Sequence, residues 1–257
     1  MSALSLEHIC MKYQDVSGEI DAINDVSFQI YPGEFVSLVG PSGCGKSTIL
    51  SIISGLLSPS SGTVAVEDKK VSGISPKIGY MLQKDNLLEW RTIYKNILLG
   101  LEIRGEINEE TLSYADELLK TYGLYEFKNK YPAQLSGGMR QRAALIRTLV
   151  TKPEILLLDE AFSALDYQMR LAVGDDVYQI IKNEGKTTLM VTHDIPEAIS
   201  MSDRVIVLSR RPAMVKAIHE IRFDSIAKRT PLICREQREF SEYFNLIWKE
   251  LDIHVSE

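Results

Sequence analysis

The chain has 257 residues, 29 of them Lys or Arg and 35 Asp or Glu, for a formal charge of −6. With 45% apolar and 25% charged residues it has the make-up of one large globular domain or two small ones, which excludes wholesale disorder. An acidic total also argues against nonspecific binding of nucleic acid, which depends on Lys and Arg neutralising phosphates.

Leu4–Ile9 and Ala22–Ile30 alternate apolar and polar residues and predict half-buried strands. Tyr31-Pro32-Gly33-Glu34 is a turn, and Phe35–Val39 is a short apolar run ending on Gly40, as a buried strand does. Gly40-Pro41-Ser42-Gly43-Cys44-Gly45-Lys46-Ser47 then fits G-x-x-x-x-G-K-[ST]. A random chain of this length matches that pattern roughly once in a hundred. Here it lies between the strand and an apolar helical run from Thr48 to Leu57, the context that the motif requires. Glycines let backbone N–H groups turn inward around phosphate oxygens, and the helix N-terminus adds positive potential. Lys46 supplies a compact charge for the β- and γ-phosphates, and the Ser47 hydroxyl can ligate Mg²⁺.

The stretch Ser47 to Val66 is uncharged but carries eight Ser or Thr and is broken by Pro59 and Gly62, so no membrane span is read there. The first seven residues lack the basic leader and apolar core of a signal peptide. Ile78–Leu82 reads as a strand, Ile93–Ile103 and Glu109–Tyr122 as helices with Asn108 as an N-cap, and Ser136 to about Val150 as another helix. Ile155–Leu158 and Thr188–Val191 read as buried strands around a helix from about Tyr167 to Asn183, which implies a parallel sheet with right-handed crossovers. The helical middle is then an insertion into one α/β domain. Asp159 and Glu160 end the Ile155 strand. Their side chains alternate, so they cannot do one job: Asp159 is placed to hold Mg²⁺ and Glu160 to polarise the attacking water. From Asp203 to Arg238 nine basic and four acidic residues stand together, read as a solvated surface in preference to a basic docking face. Apolar spacing from Arg235 to Leu251 predicts a helix, read as packed on its own domain in preference to binding a partner. Three cysteines, at 10, 44 and 234, with no C-x-x-C suit a reducing compartment.

With those motifs in place, Leu135-Ser136-Gly137-Gly138-Met139-Arg140-Gln141-Arg142 resembles the signature sequence of ATP-binding cassette (ABC) ATPases. The resemblance covers roughly residues 4 to 221, with the motifs in the family's order. It implies an α/β fold of P-loop NTPase type: a mixed-sheet core with an antiparallel β-subdomain (about 1–83 and 154–222), a helical subdomain inserted at about 84–153, and a helical tail at 223–257. It implies that residues 40 to 48, including Thr48, bind nucleotide. Tyr13 resembles the aromatic residue that stacks on adenine, with a core tyrosine as the competing reading. Gln83 resembles the glutamine near Mg²⁺ and the water, and His193 the switch histidine at the γ-phosphate. Ser163-Ala164-Leu165-Asp166 resembles the loop that crosses a dimer interface. Ser136, Gly137 and Gly138 resemble the cap that, in this family, closes over ATP held by another copy. The implied working unit is a head-to-tail homodimer enclosing two ATP molecules.

Any transport path must come from other, membrane-spanning subunits. Leu87-Leu88-Glu89-Trp90-Arg91-Thr92 and Leu208-Ser209-Arg210-Arg211-Pro212 resemble the nitrate/sulfonate/taurine-type importer ATPases, whose relatives also serve vitamin-precursor uptake. Glu89 stands where that pattern has Pro. The resemblance thus implies an importer ATPase at the cytoplasmic face of the membrane, with permease subunits and, indirectly, a solute-binding protein as partners. A nucleotide-gated regulator of a membrane complex would carry the same motifs. Trp90 is either a core or hinge aromatic or the rim of the groove that receives a permease helix.

Overall fold

The structure, a computed structural model, describes residues 1–251 except 16, 17, 164, 225, 227 and 228. The chain runs β1 (Leu4–Asp15), β2 (Gly18–Ile30), β3 (Phe35–Val39), α1 (Lys46–Ile53), β4 (Ser61–Val66), β5 (Lys69–Lys70) and β6 (Ile78–Met81). The insertion follows as α2 (Ile93–Ile97), α3 (Leu99–Arg104), α4 (Glu109–Thr121) and α5 (Gly137–Leu149). Then come β7 (Ile155–Asp159), α6 (Tyr167–Asn183), β8 (Thr187–Val191), α7 (Ile195–Met201), β9 (Arg204–Leu208), β10 (Val215–Glu220), α8 (Pro231–Arg235) and α9 (Arg238–Glu250).

Two sheets result. One is antiparallel, in the order β2-β1-β4-β5, and the other runs β10-β9-β3-β8-β7-β6, parallel except for β10. The period of two along β3 divides the core. Val36 and Leu38 face the small sheet and α1, packing with Leu4, Leu6, Ile49 and Ile53. Phe35 faces the other way, into the cluster that α2, α4, α5 and α6 build with Leu156, Leu158 and Met190. A third cluster joins Val39, Val205 and Val207 to α7 and α9 through Ile199, Ile247 and Leu251. The central strands are therefore covered on both faces, which is why they read as unbroken apolar runs.

Several boundaries differ from those expected. The helix predicted to Leu57 stops at Ile53, where the Leu57 N–H turns back to the Ser51 carbonyl at 3.0 Å and closes the end. The helix predicted over Ile93–Ile103 is two, broken at Leu98, so that Ile93, Ile97 and Leu101 all reach the core. Asn108 caps α4, its side chain accepting from the Thr111 N–H at 3.0 Å. The tail has an extra helix, α8, with Thr230 as cap and Pro231 at its first position. Phe240, Tyr243, Phe244, Ile247 and Leu251 pack α9 on its own domain as expected; residues 252–257 of the predicted tail lie outside the described residues.

The basic stretch is not simply solvated. Arg204 is half-buried against Glu34, and Arg229 reaches Asp203 and the carbonyls of Ile199, Ser202 and Ile221. Charge counting could not reveal that these cations are spent on the fold. Among the described residues no helix is long and apolar enough to cross a membrane.

Candidate functional site

The candidate residues gather at the C-terminal ends of adjacent parallel strands. β6, β7, β8 and β3 are neighbours in that order. Gln83 lies two residues past β6, Glu160 directly after β7, His193 two residues past β8, and Gly40 directly after β3. The crevice outside the carboxyl ends of such strands is where α/β sheets place ligands.

Residues 40–47 wrap the start of α1. Gly45, at φ +122, occupies its N-cap position in a conformation that side-chain-bearing residues rarely adopt. The Lys46 side chain is buried and folds back over the loop, donating to the carbonyls of Gly40 at 2.7 Å and Pro41 at 3.0 Å. The Cys44 N–H bonds the Pro41 carbonyl at 3.2 Å. Its thiol is inside, and burial pushes it above the ordinary thiol range although Lys46 opposes. Ser42, Gly43 and Ser47 face solvent, so the outer wall of the loop is open to an anion. Tyr13 is not a core tyrosine: it is 37% exposed, with its hydroxyl 3.4 Å from the Thr48 hydroxyl at the loop's edge.

Asp159 is held by two donors, the Ser47 hydroxyl at 3.3 Å and the Tyr80 hydroxyl at 3.1 Å. Burial, with help from Glu160, keeps its carboxyl above the usual range despite both. Tyr80 was not expected here. It is the one half-buried position of β6, and burial beside Asp159 raises its phenol in turn. Glu160 has φ +45, a left-handed conformation uncommon for a residue with a side chain. Its backbone N–H is pinned to the Val191 carbonyl at 2.9 Å. Its carboxylate lies 3.2 Å from His193 Nδ1 and 3.4 Å from Gln83 Nε2. Gln83 also donates to the Ser163 hydroxyl at 3.1 Å, and that hydroxyl donates to the Glu160 carbonyl at 2.9 Å.

The signature residues stand apart from this cluster. Among the described residues no hydrogen bond or ion pair joins Ser136, Gly137, Gly138 or Asp166 to residues 40–48. Ser136 caps α5, accepting from the Met139 N–H at 3.3 Å, and Asp166 caps α6, accepting from the Met169 N–H at 2.9 Å. Gly137 is exposed at the start of α5, and Gly138 is not. Gly138 is buried against α6, where an added Cβ would stand 2.7 Å from Val173 Cγ2. Its smallness serves helix packing. Ala164 of the predicted interface loop lies outside the described residues.

Behind His193, α7 buries Glu197. Burial pushes this carboxyl up to about 7, with Asp194 adding to the shift and Thr192, Arg170 and Arg235 opposing it. The ordinary value is 4.5, so the folded state holds this proton more tightly than the unfolded chain does. Stability from the neutral acid is complete below 4.5 and is lost as pH rises through 7. Glu197→Gln removes that loss. At pH 8 it is expected to be more stable than the parent chain by at most about 3 kcal/mol, and so to unfold at a higher temperature, and near pH 4 the two should coincide. Thermal unfolding at both pH values checks this; a difference independent of pH contradicts it.

A family model described as ABC transporter matches residues 23–163. The chain is 44% identical over 252 residues to the uncharacterized ABC transporter ATP-binding protein YtlC of Bacillus subtilis, covering 98% of this chain and 96% of that one. It is 33% identical over 256 residues to the taurine import ATP-binding protein TauB of Roseobacter denitrificans, covering 96% and 95%. Its fold matches the dimeric structure of a post-hydrolysis state of the ATP-binding cassette MJ0796 bound to ADP and Pi, with TM-score 0.71 and 33% identity over 86% of this chain and 99% of that one. The chain therefore belongs to the ABC transporter family, as one of its ATP-binding, ATP-hydrolysing subunits.

Proposed function

We propose that the chain powers an importer: a head-to-tail pair of copies at the cytoplasmic face of the membrane, working with separate permease subunits and a solute-binding protein to take up a small solute. A nitrate-, sulfonate- or taurine-like anion or a vitamin precursor is the cargo class. The meeting of Glu160 with His193 and Gln83 beside the phosphate loop is the observation that carries the hydrolytic part; the likeness to the taurine import ATP-binding protein supports the cargo class.

In this reading Lys46 exchanges the carbonyls of Gly40 and Pro41 for phosphate oxygens, which are stronger, charged acceptors. Loop amides and the α1 N-terminus hold the rest of the phosphate chain, and Tyr13 stacks on the base. Ser47 and Asp159 present hard oxygens 3.3 Å apart, and with Gln83 they are few enough for an ion that keeps waters and phosphate oxygens in its shell, so the set fits Mg²⁺. Bound Mg²⁺ would neutralise charge developing on the β- and γ-phosphates. Glu160 accepts the proton of the attacking water, Gln83 holds that water, and His193 orients Glu160 and contacts the γ-phosphate. Ser136 and Gly137 of the second copy close the site, and hydrolysis reopens it.

The permease reading rests on Trp90, which is 76% exposed and so is no core aromatic. Its loop is rigid. Buried Asn96 bonds the backbone of Leu88, Arg91 and Thr92, and Arg140 on α5 pairs with both Asp85 and Glu89. Leu87, in contrast, is buried in the helical core, so removing it costs about 2–5 kcal/mol of stability and would confuse the test. Trp90→Ala alone should cut uptake by a reconstituted complex at least tenfold and leave basal ATPase within twofold. Unchanged uptake contradicts permease docking here. A membrane partner that co-purifies but moves no solute replaces import with regulation.

A further inference from the structure

We infer that Arg170 is a positioning residue that ties Leu165, which follows the Glu160–Ser163 segment, to the segment carrying His193 and so holds the catalytic geometry. This rests on the reading of Glu160 and His193 given above. The guanidinium forks between two partners. One terminal nitrogen donates to the Leu165 carbonyl at 3.1 Å and the other lies 3.0 Å from the Asp194 carboxylate. Both side chains of the ion pair are largely buried, where such contacts are weakly screened.

Each partner is fixed at its other end. The Asp194 N–H donates to the Thr192 hydroxyl at 3.0 Å, and its second carboxylate oxygen caps α7 by accepting from the Glu197 N–H at 2.9 Å. Asp194 therefore has one free oxygen, one orientation, and His193 directly before it. Leu165 lies between Ser163, which bonds Glu160 and Gln83, and Asp166, which caps α6. The contacts run from Glu160 to His193, along the chain to Asp194, through Arg170 to Leu165, and back through Ser163 to Glu160. Among the described residues, Arg170 is the side chain that bridges Leu165 and Asp194 along this route. The other charges nearby are Glu197 and Arg235, which line the same small cavity from α7 and α8. Lys46 and the phosphate loop stand outside the ring. Its disruption should slow turnover and spare ATP affinity.

A planar fork serves two acceptors at once and a lysine ammonium on a flexible stem does not, so charge and geometry can be separated. The test uses the purified full chain with Arg170→Gln, Arg170→Lys, Asp194→Asn and the double variant Arg170→Gln/Asp194→Asn. Asn keeps the helix cap and loses the ion pair. Arg170→Gln and Asp194→Asn should each lower kcat by about 10- to 100-fold with KM for ATP within twofold. Arg170→Lys should recover only part of the loss, and the double variant should be no worse than the poorer single one. In a Glu160→Gln background, Arg170→Gln should still give the ATP-dependent dimer. Three results overturn the inference: kcat of Arg170→Gln within twofold of the parent, multiplying losses in the double variant, or a rise in KM equal to the fall in kcat. Those results with Glu160→Gln inactive overturn it alone. Wild-type turnover by Glu160→Gln overturns the underlying catalytic reading, and this inference with it.

Discussion

Lys46→Ala should abolish measurable ATP binding. The ammonium is the one charge inside the phosphate loop, and charge-assisted bonds to phosphate are about twice as strong as neutral ones. Losing two such contacts removes about 3 kcal/mol or more, at least a hundredfold in affinity. The fold should tolerate the change. Lys46 opens α1, where Ala is a better helix former, and the Pro41 carbonyl it releases adjoins the exposed Ser42. Titration with nucleotide, alongside thermal unfolding to show that the chain is intact, gives the answer. Undiminished affinity in a folded variant would remove the phosphate-loop assignment.

The second large effect belongs to Glu160→Gln. The amide keeps the length and shape of the side chain, so the left-handed backbone at φ +45 and the bond to the Val191 carbonyl are undisturbed. What is lost is the ability to take a proton. Removing a positioned base costs about 10²- to 10⁴-fold, so turnover should fall at least a hundredfold while ATP still binds. The chain should then accumulate as an ATP-bound dimer, seen by sedimentation or size exclusion. Hydrolysis near the parent rate would reject Glu160 as the base, and the contacts with His193 and Gln83 would then be structural only.

Much of this was legible in the residues. The run Phe35–Val39 into Gly40 marked β3 with both ends correct, because a fully buried strand that ends on a glycine loop leaves an unbroken apolar signal. The helix expected from about Tyr167 to Asn183 agrees with α6, whose buried face recurs at helical spacing. What escaped notice depended on distant partners. β4 and β10 have weak patterns of their own and are strands because β1 and β9 offer them ladders. Tyr80 and Arg170 look like ordinary strand and helix residues until the sheet order brings Asp159 and Asp194 beside them. Gly138 reads as part of an anion-binding cap, whereas its neighbour across the helix pair, Val173, is 35 residues away in the chain. The segment 85–89 is similar. Its acids pair with Arg140 through space, and nothing in the local pattern announces that clamp.

One chain alone leaves Ser136 and Gly137 exposed, and in the proposed function the site is completed by two copies facing opposite ways. The most direct check is disulfide trapping between copies. A Glu160→Gln chain carrying Ser42→Cys is mixed with a Glu160→Gln chain carrying Ser136→Cys; both positions are exposed, and a bond between them can form only across two molecules. With ATP the mixture should yield a covalent dimer that is absent without nucleotide and absent from either chain alone. If the mixture binds ATP and still forms no such dimer, the phosphate loop of one copy does not meet the serine cap of the other, and the shared site is disproved.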